Sequence, residues 1–185
     1  MEELDKIELA RMLANVLRHE PDRLNVQLDS EGWIDIESLL FGFDACSPFI
    51  VEREDIEDAV MDANYGRFEY DAEQDRLRAK KGHTTDHVSY DVAEPPEYMY
   101  RAVPAQHAEY LKRNGLKSVN RKYTQVFVDY MDAVDDGNRR GIETICMASI
   151  SADDAYNDGT LFYFHDDEWY VVELDAVHIE ISDYD

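Results

Sequence analysis

The few cations of this chain are its candidates for binding chemistry. Against 42 Asp and Glu stand 18 Lys and Arg, a formal charge of −24, and only six of those bases are lysine. The bases are unevenly spread. Arg76, Arg78, Lys80 and Lys81 form one cluster, Arg113, Lys117, Arg121 and Lys122 form another, and an Arg18-His19 pair stands apart. A guanidinium presents a planar, permanently charged fork that matches phosphate or carboxylate. Histidine titrates near neutral pH. The chemistry open to these groups is the gripping of an anion, phosphate above all. Taken alone they also fit plainer roles: the clusters as solvated faces, and Arg18-His19 as cations that complement a helix C-terminus. Cys46 and Cys146 are far apart with no second Cys or His at metal-ligand spacing. They read as buried thiols in a reducing cytoplasm, and no metal site is expected.

The acidity narrows the classes of function. Non-specific nucleic-acid binding rests on neutralising many phosphates, so any RNA must be met at a small basic site. A surface of this charge repels itself in dilute buffer. At about 1 M salt the Debye length falls to about 3 Å and the repulsion largely vanishes. Few lysines and many carboxylates therefore suit a salt-loaded cytoplasm, as in a haloarchaeon; an ordinary acidic protein is the alternative. No stretch approaches the roughly 18 apolar residues of a membrane span. The opening Met1-Glu2-Glu3-Leu4-Asp5 has the wrong charge sign for a secretory or transit signal. A cytoplasmic, monomeric protein is expected.

The elements that must hold these residues follow from periodicity. Leu9, Leu13, Val16 and Leu17 share one helical face, and Pro21 ends that helix near His19. Asp35 is placed to cap a second helix carrying Ile36, Leu39 and Leu40. A third runs from Val51 to Asn64, with Ile56, Ala59, Val60 and Ala63 inward. Strands over Arg67 to Tyr70 and Arg76 to Ala79 then flank a polar turn, and three helices followed by a hairpin is the order of a winged helix. Pro95-Pro96 marks a seam. Beyond it come a strand from Tyr98 to Val103, a helix from Ala105 to Asn114 closed by Gly115, and strands over Tyr123 to Asp129 and Ile142 to Ile150. A closing hairpin joins Leu161 to Phe164 with Trp169 to Leu174. Acidic runs such as Asp132 to Asp136 read as loops. The expected fold is α+β, with lobes at 1–94 and 95–185.

Read together, the segments Val16-Leu17-Arg18-His19-Glu20-Pro21, Leu28-Asp29-Ser30-Glu31-Gly32-Trp33-Ile34 and Leu39-Leu40 resemble the N-terminal lobe of the RNA (tRNA) 2'-phosphotransferase family. Leu77-Arg78-Ala79 with Gly82-His83-Thr84 resembles its second signature, an Arg-Ala segment followed by Gly-His-Ser. Pro95-Pro96-Glu97-Tyr98-Met99-Tyr100 resembles the entry to its second lobe. Asn114-Gly115-Leu116, Arg121 and the closing hairpin fall in order after it.

This resemblance implies a winged-helix lobe and an ADP-ribosyltransferase-like lobe. It implies NAD as co-substrate, an RNA bearing a 2'-phosphate (tRNA in the first instance) as partner, and no metal. It carries the catalytic quartet onto Arg18, His19, Arg78 and Arg121. Arg18 and His19 would grip the RNA phosphate, Arg78 would lie along the NAD diphosphate, and Arg121 would steady charge developing in the second step. Tyr100, Arg101, Ala102 and Val103 fall at the NAD-receiving strand, where the family usually shows Tyr-His-Gly-Thr; Ala102 would add a methyl group where a glycine lets the dinucleotide approach. Tyr123-Thr124-Gln125 replaces the usual His-Val-His, and Phe164 a serine. Arg78 on a hairpin strand also fits a cross-strand ion pair, and Arg121 a solvated base. A protein that reads RNA phosphates without chemistry, or an ADP-ribosyltransferase with another acceptor, fits the same pattern.

Overall fold

The computed structural model describes residues 2–3, 6–61, 67–119 and 121–184, and the chain divides into two units, Met1–Ser89 and Tyr90–Asp185. In the first, β1 (Glu2–Glu3) precedes α1 (Lys6–Arg18). Leu9, Leu13, Val16 and Leu17 are all buried, as their spacing requires. A 3-10 turn over Pro21–Leu24 follows, closed by Asn25 in the left-handed region. β2 (Ile34–Asp35) leads into α2 (Ile36–Cys46), whose cap is Asp35: its carboxylate accepts from the Ser38 amide at 2.7 Å. β3 (Phe49–Ile50) pairs in parallel with β1.

The third helix, α3 (Arg53–Met61), starts two residues later than its periodicity suggested, because Asp55 accepts from the Glu52 amide and fixes the entry. Ile56 and Ala59 are buried on it; the expected Ala63 lies outside the described residues. β4 (Phe68–Asp71) and β5 (Arg76–Ala79) form the hairpin, and β2 joins it to give an antiparallel sheet of order β2-β5-β4. Arg53 forks onto Asp75 at 2.7 and 2.8 Å, tying α3 to the hairpin turn.

The second unit is mostly antiparallel sheet. Its elements are β6 (Asp91–Val92), β7 (Tyr98–Pro104), α4 (Ala108–Asn114), β8 (Leu116–Lys117), β9 (Thr124–Val126), α5 (Tyr130–Arg139), β10 (Ile145–Ser151), α6 (Ala152–Asn157), β11 (Phe162–His165), β12 (Glu168–Val171), β13 (Glu173–Leu174) and β14 (Ile179–Asp183). One sheet runs β14-β10-β7, another β6-β11-β12-β9, and β13 pairs with β8. Met99 and Ile150 from the first sheet share a buried cluster with Val126, Phe162 and Val171 from the second, so the two sheets pack on a common core. Strand alternation then distributes β7. Ala102 and its register partner Met147 pack with Ala133 and Val134 of α5, while Val103 and Cys146 pack with Ala108 and Leu111 of α4. Helices before antiparallel sheets make the architecture α+β.

Two expectations are corrected here. Asp132 to Asp136 is not a loop but the body of α5. Asp129 caps that helix by accepting from the Met131 and Asp132 amides, and Ala133, Val134 and Gly137 supply a narrow buried face beneath the carboxylates. Cys46 is exposed, at the end of α2, and Cys146 is buried. Burial and the neighbouring Asp183 push the Cys146 thiol above its ordinary range. Titration of the native protein with a thiol-reactive chromogen near pH 8 should therefore show one fast equivalent, lost in Cys46→Ser, and a second only after denaturation.

Candidate functional site

In the first unit the structure brings two separated sequence motifs to one place. α1 ends on Arg18, whose carbonyl, like others in a last helical turn, lacks an intrahelical partner. It accepts instead from the Thr84 amide at 2.8 Å and the Thr85 amide at 3.1 Å. The loop after β5 is thus docked on the end of the helix. Gly82 in that loop has a φ of +87°, a conformation that favours glycine. His19 follows Arg18, and its Nδ1 lies 2.8 Å from Thr84 Oγ1. A hydroxyl can donate to a bare imidazole nitrogen or accept from a protonated one, so Thr84 suits either tautomer of the ring. His83 is buried against Gly32, at 3.1 Å from where a Gly32 side chain would begin.

Arg78 stands on β5 in the same unit, fixed by Glu69, by Trp33 and by the Glu31 carbonyl, to which its Nη1 donates at 3.4 Å. Its Nε and Nη2 donate to Glu69 Oε2 at 2.9 and 2.7 Å, and Glu69 is its cross-strand register partner. Its guanidinium carbon lies 4.5 Å from the centroid of Trp33, whose ring Arg76 also covers at 4.4 Å. Arg76 in turn pairs with Asp71 at 3.1 Å. Half of the first basic cluster is therefore a cross-strand ladder wrapped round a tryptophan, the plainer of the roles open to it.

Arg121 belongs to the second unit, where it lines a cavity of about 310 Å³ together with Arg101, Lys117 and Arg140. Of the four residues at the candidate NAD strand, Arg101 alone lines that cavity. Its Nη1 donates to the Gln125 carbonyl at 2.5 Å. Burial first, and then the positive charges of Arg140 and Arg121, pull its pKa down to about 10. Tyr100 is bridged to Phe127 by both backbone bonds and meets Tyr130 edge-on. Ala102 and Val103 are core residues. The Ala102 methyl is directed at α5: a Cβ on Gly137 would come within 2.7 Å of it. Of the residues in the usual His-Val-His place, Tyr123 stacks on Tyr90 at 4.3 Å, and Tyr90 stacks on His165 at 4.2 Å. Phe164 packs on its register partner Trp169.

Three residues of evident consequence escaped the sequence reading. Thr84 had a signal, since it stands where the motif offers a serine hydroxyl. Glu69 had none without the hairpin register. Arg140 lies outside every motif, yet its Nη2 donates to the Ala102 carbonyl at 2.6 Å and its Nε to Asp136 at 2.7 Å. Among the described residues no group of three or more His, Cys, Asp or Glu could hold a metal ion, and no helix is long and apolar enough to cross a membrane.

The His19 tether yields a direct test. Thr84→Val removes one hydrogen bond worth about 1 kcal/mol. The expected loss is threefold to tenfold in any His19-dependent rate, with Thr84→Ser close to the parent. Equal rates in all three would leave the hydroxyl no part in positioning His19.

A family model described as RNA 2'-phosphotransferase, Tpt1 / KptA family, matches residues 5–174. The chain is also similar to proteins named "Probable RNA 2'-phosphotransferase". One from Flavobacterium johnsoniae is 29% identical over 179 residues, covering 94% of this chain and 95% of the relative. One from Herpetosiphon aurantiacus is 26% identical over 184 residues, covering 98% and 100%. A third, from Burkholderia lata, is 30% identical over 161 residues, covering 86% and 81%. With its motifs in order and nearly all of its length matched, the chain belongs to the RNA 2'-phosphotransferase family, Tpt1 / KptA.

Proposed function

We propose that this chain is an NAD-dependent RNA 2'-phosphotransferase that removes an internal 2'-phosphate from RNA, tRNA in the first instance. The observation that carries the reading is the docking of the Gly82-His83-Thr84 loop on the Arg18-His19 end of α1, with Thr84 bonded to both residues. That arrangement has no evident use in a scaffold, and it ties the imidazole of His19 to the loop that carries Thr84.

In this reading the first unit is the winged-helix-like lobe and the second the ADP-ribosyltransferase-like lobe. Arg18 and His19 hold and orient the RNA 2'-phosphate. Bound NAD would supply an electrophilic ribose carbon for the phosphate oxygen, with nicotinamide as the leaving group, and a ribose hydroxyl able to displace the RNA 2'-oxygen at phosphorus, the products being 2'-hydroxyl RNA and the cyclic phosphate of ADP-ribose. Arg121 stabilises the charge that develops in that displacement. Arg78 meets the NAD diphosphate. On β7 the residue that would receive NAD is Arg101, which offers the strand's cation to the cavity, while the Ala102 methyl is turned onto Gly137 and leaves the approach open.

A second reading, phosphate recognition on RNA without chemistry, is favoured by one observation. Arg101 stands where the family carries histidine, and its guanidinium is bonded to the Gln125 carbonyl. Incubation in molar KCl with NAD and a short RNA bearing one internal 2'-phosphate separates the readings. Loss of that phosphate with release of nicotinamide, dependent on NAD and on Arg121, supports the enzyme. Binding without loss supports the second reading. A stable ADP-ribosylated product points to a transferase with another acceptor.

The charge of −24 supports one further part of the reading, a working environment rich in salt. Screening should raise the thermal midpoint between 0.1 and 2 M KCl by several degrees. A flat or falling midpoint would make this an ordinary acidic protein.

A further inference from the structure

Arg140 is the point of departure, because no motif contains it and yet it helps to build the wall of a cavity. It follows the last residue of α5, where a flexible arginine would ordinarily reach into solvent. Here two of its nitrogens are fixed, one by Asp136 at 2.7 Å and one by the Ala102 carbonyl at 2.6 Å. Arg101 is fixed from the other side by the Gln125 carbonyl at 2.5 Å. The two guanidiniums share the cavity wall with Arg121. Lys117 also lines the cavity but is paired with Glu173 at 2.6 Å. Among the described residues Asp136 is the one carboxylate on that wall.

Three guanidiniums facing one carboxylate is an imbalance, and in a chain with 42 acidic residues it is a conspicuous one. Like charges in a partly buried space repel strongly. Such an arrangement persists when the surrounding structure over-determines it, and functional sites are where it is found. Both fixed arginines are anchored through main-chain carbonyls, which carry no formal charge, and the single carboxylate, Asp136, pairs with Arg140 alone. The consequence is a pre-organised set of N–H donors with positive charge in excess. Fork-like donors of fixed geometry match tetrahedral oxyanions.

We propose that Arg101, Arg121 and Arg140 form a binding site for a phosphoryl group, with Asp136 as the residue that positions Arg140. Arg101 and Arg140 are then binding residues in their own right, and the cation at position 101 is a ligand for phosphate in place of the uncharged hydrogen-bonding groups usual on that strand. The site is a property of the second unit and needs no RNA. Only the identity of the molecule that bears the phosphate, a dinucleotide or a 2'-phosphorylated nucleotide, rests on the phosphotransferase reading.

The test is calorimetric titration of the full chain with inorganic phosphate, without NAD or RNA, at constant ionic strength set by KCl. Saturable binding at one site is expected, weakened about tenfold or more by Arg140→Gln and by Arg101→Gln, since each removes a charge-assisted contact. Arg113→Gln makes the same change in net charge at an arginine whose ion pair is on the helix surface with Glu109, and it should leave the affinity unchanged. Thermal unfolding of each variant establishes that it is folded; if Arg140→Gln is not, Arg140→Lys keeps the charge, loses the fork and should weaken phosphate severalfold. The proposal is overturned by absence of saturable binding, by an equal loss in Arg113→Gln, or by a loss that follows Arg18→Ala instead, which would place the ion in the first unit. Competition by ADP-ribose identifies a dinucleotide as bearer, and competition by a nucleoside 2'-phosphate identifies RNA. Phosphate binding with no turnover would sink the phosphotransferase reading and leave this one standing; turnover with phosphate affinity untouched by both glutamine variants would do the reverse.

Discussion

Arg18→Ala should lower kcat/KM for removal of an RNA 2'-phosphate by about 100- to 1,000-fold, the range seen when one donor to a developing oxyanion is removed. The docking of the loop should survive. The contacts that dock the loop use the Arg18 carbonyl, which accepts from the Thr84 and Thr85 amides and survives the substitution. As a cation in the last turn of α1, the side chain contributes about 0.3–1 kcal/mol to the fold. The two roles therefore predict different magnitudes from one variant. A helix-dipole residue costs a degree or two in the thermal midpoint and leaves the rate alone. A phosphate ligand costs orders of magnitude in rate at nearly the same midpoint. Arg18→Lys refines the distinction, since an ammonium keeps the charge but cannot fork across two phosphate oxygens; it should recover part of the rate and all of the stability. Single-turnover assays beside melting curves decide the matter, and an Arg18→Ala rate within threefold of the parent would remove Arg18 from the site.

How much of this was legible beforehand depended on whether the signal was local. The buried face of α1, the Asp35 cap and the glycine that closes α4 each arise from a few neighbouring residues, and each lies where the sequence put it. Gly115 is required at that place, since a side chain would collide with the Leu174 carbonyl. α5 was missed because its polar face is a run of aspartates, and the three small or apolar residues that bury it look sparse until β7 is there to receive them. β9 proved shorter than its alternation suggested, with Phe127 contributing a single bridge to Tyr100. In the site, Arg18, His19, Arg78 and Arg121 could be named from motifs, but the partners that define them could not. Thr84 meets His19 across 65 positions, and Arg140 meets Ala102 across 38. Pairings of that span are set by tertiary structure, on which a single sequence is silent.

The Ala102 methyl shows how such silence misleads. Read along the chain, a methyl group in place of glycine's hydrogen narrows the approach to β7. In the folded unit it packs toward α5, where Gly137 leaves it room. The side chain that does reach the cavity is its neighbour, Arg101. Divergence at this strand is thus a matter of charge at one position and of core packing at the other.

Arg78 carries the second large effect, and here structure and chemistry must be separated by design. Its side chain is buried, bonded twice to Glu69 and laid over Trp33. Truncation to alanine removes those bonds, a cation–π contact and packed volume together. Glu69 is itself 43% exposed, so its abandonment in water costs little, and the total should be about 2–3 kcal/mol. For a chain of this size that is roughly 5–10 °C in the thermal midpoint. A loss of rate in Arg78→Ala alone would therefore be ambiguous. Glu69→Ala resolves it, because it breaks the same ion pair from the other side and leaves the guanidinium in place. If Arg78 meets the NAD diphosphate, Arg78→Ala raises the KM for NAD and cuts kcat/KM by about 100-fold well below the melting range, while Glu69→Ala loses stability but keeps the KM. If the arginine serves only the hairpin, both variants lose stability, the rates per folded molecule stay alike, and the double-mutant cycle returns a coupling of about 1 kcal/mol with no counterpart in kinetics. The KM for NAD, compared between these two variants, is thus the quantity that assigns Arg78 to the chemistry or to the fold.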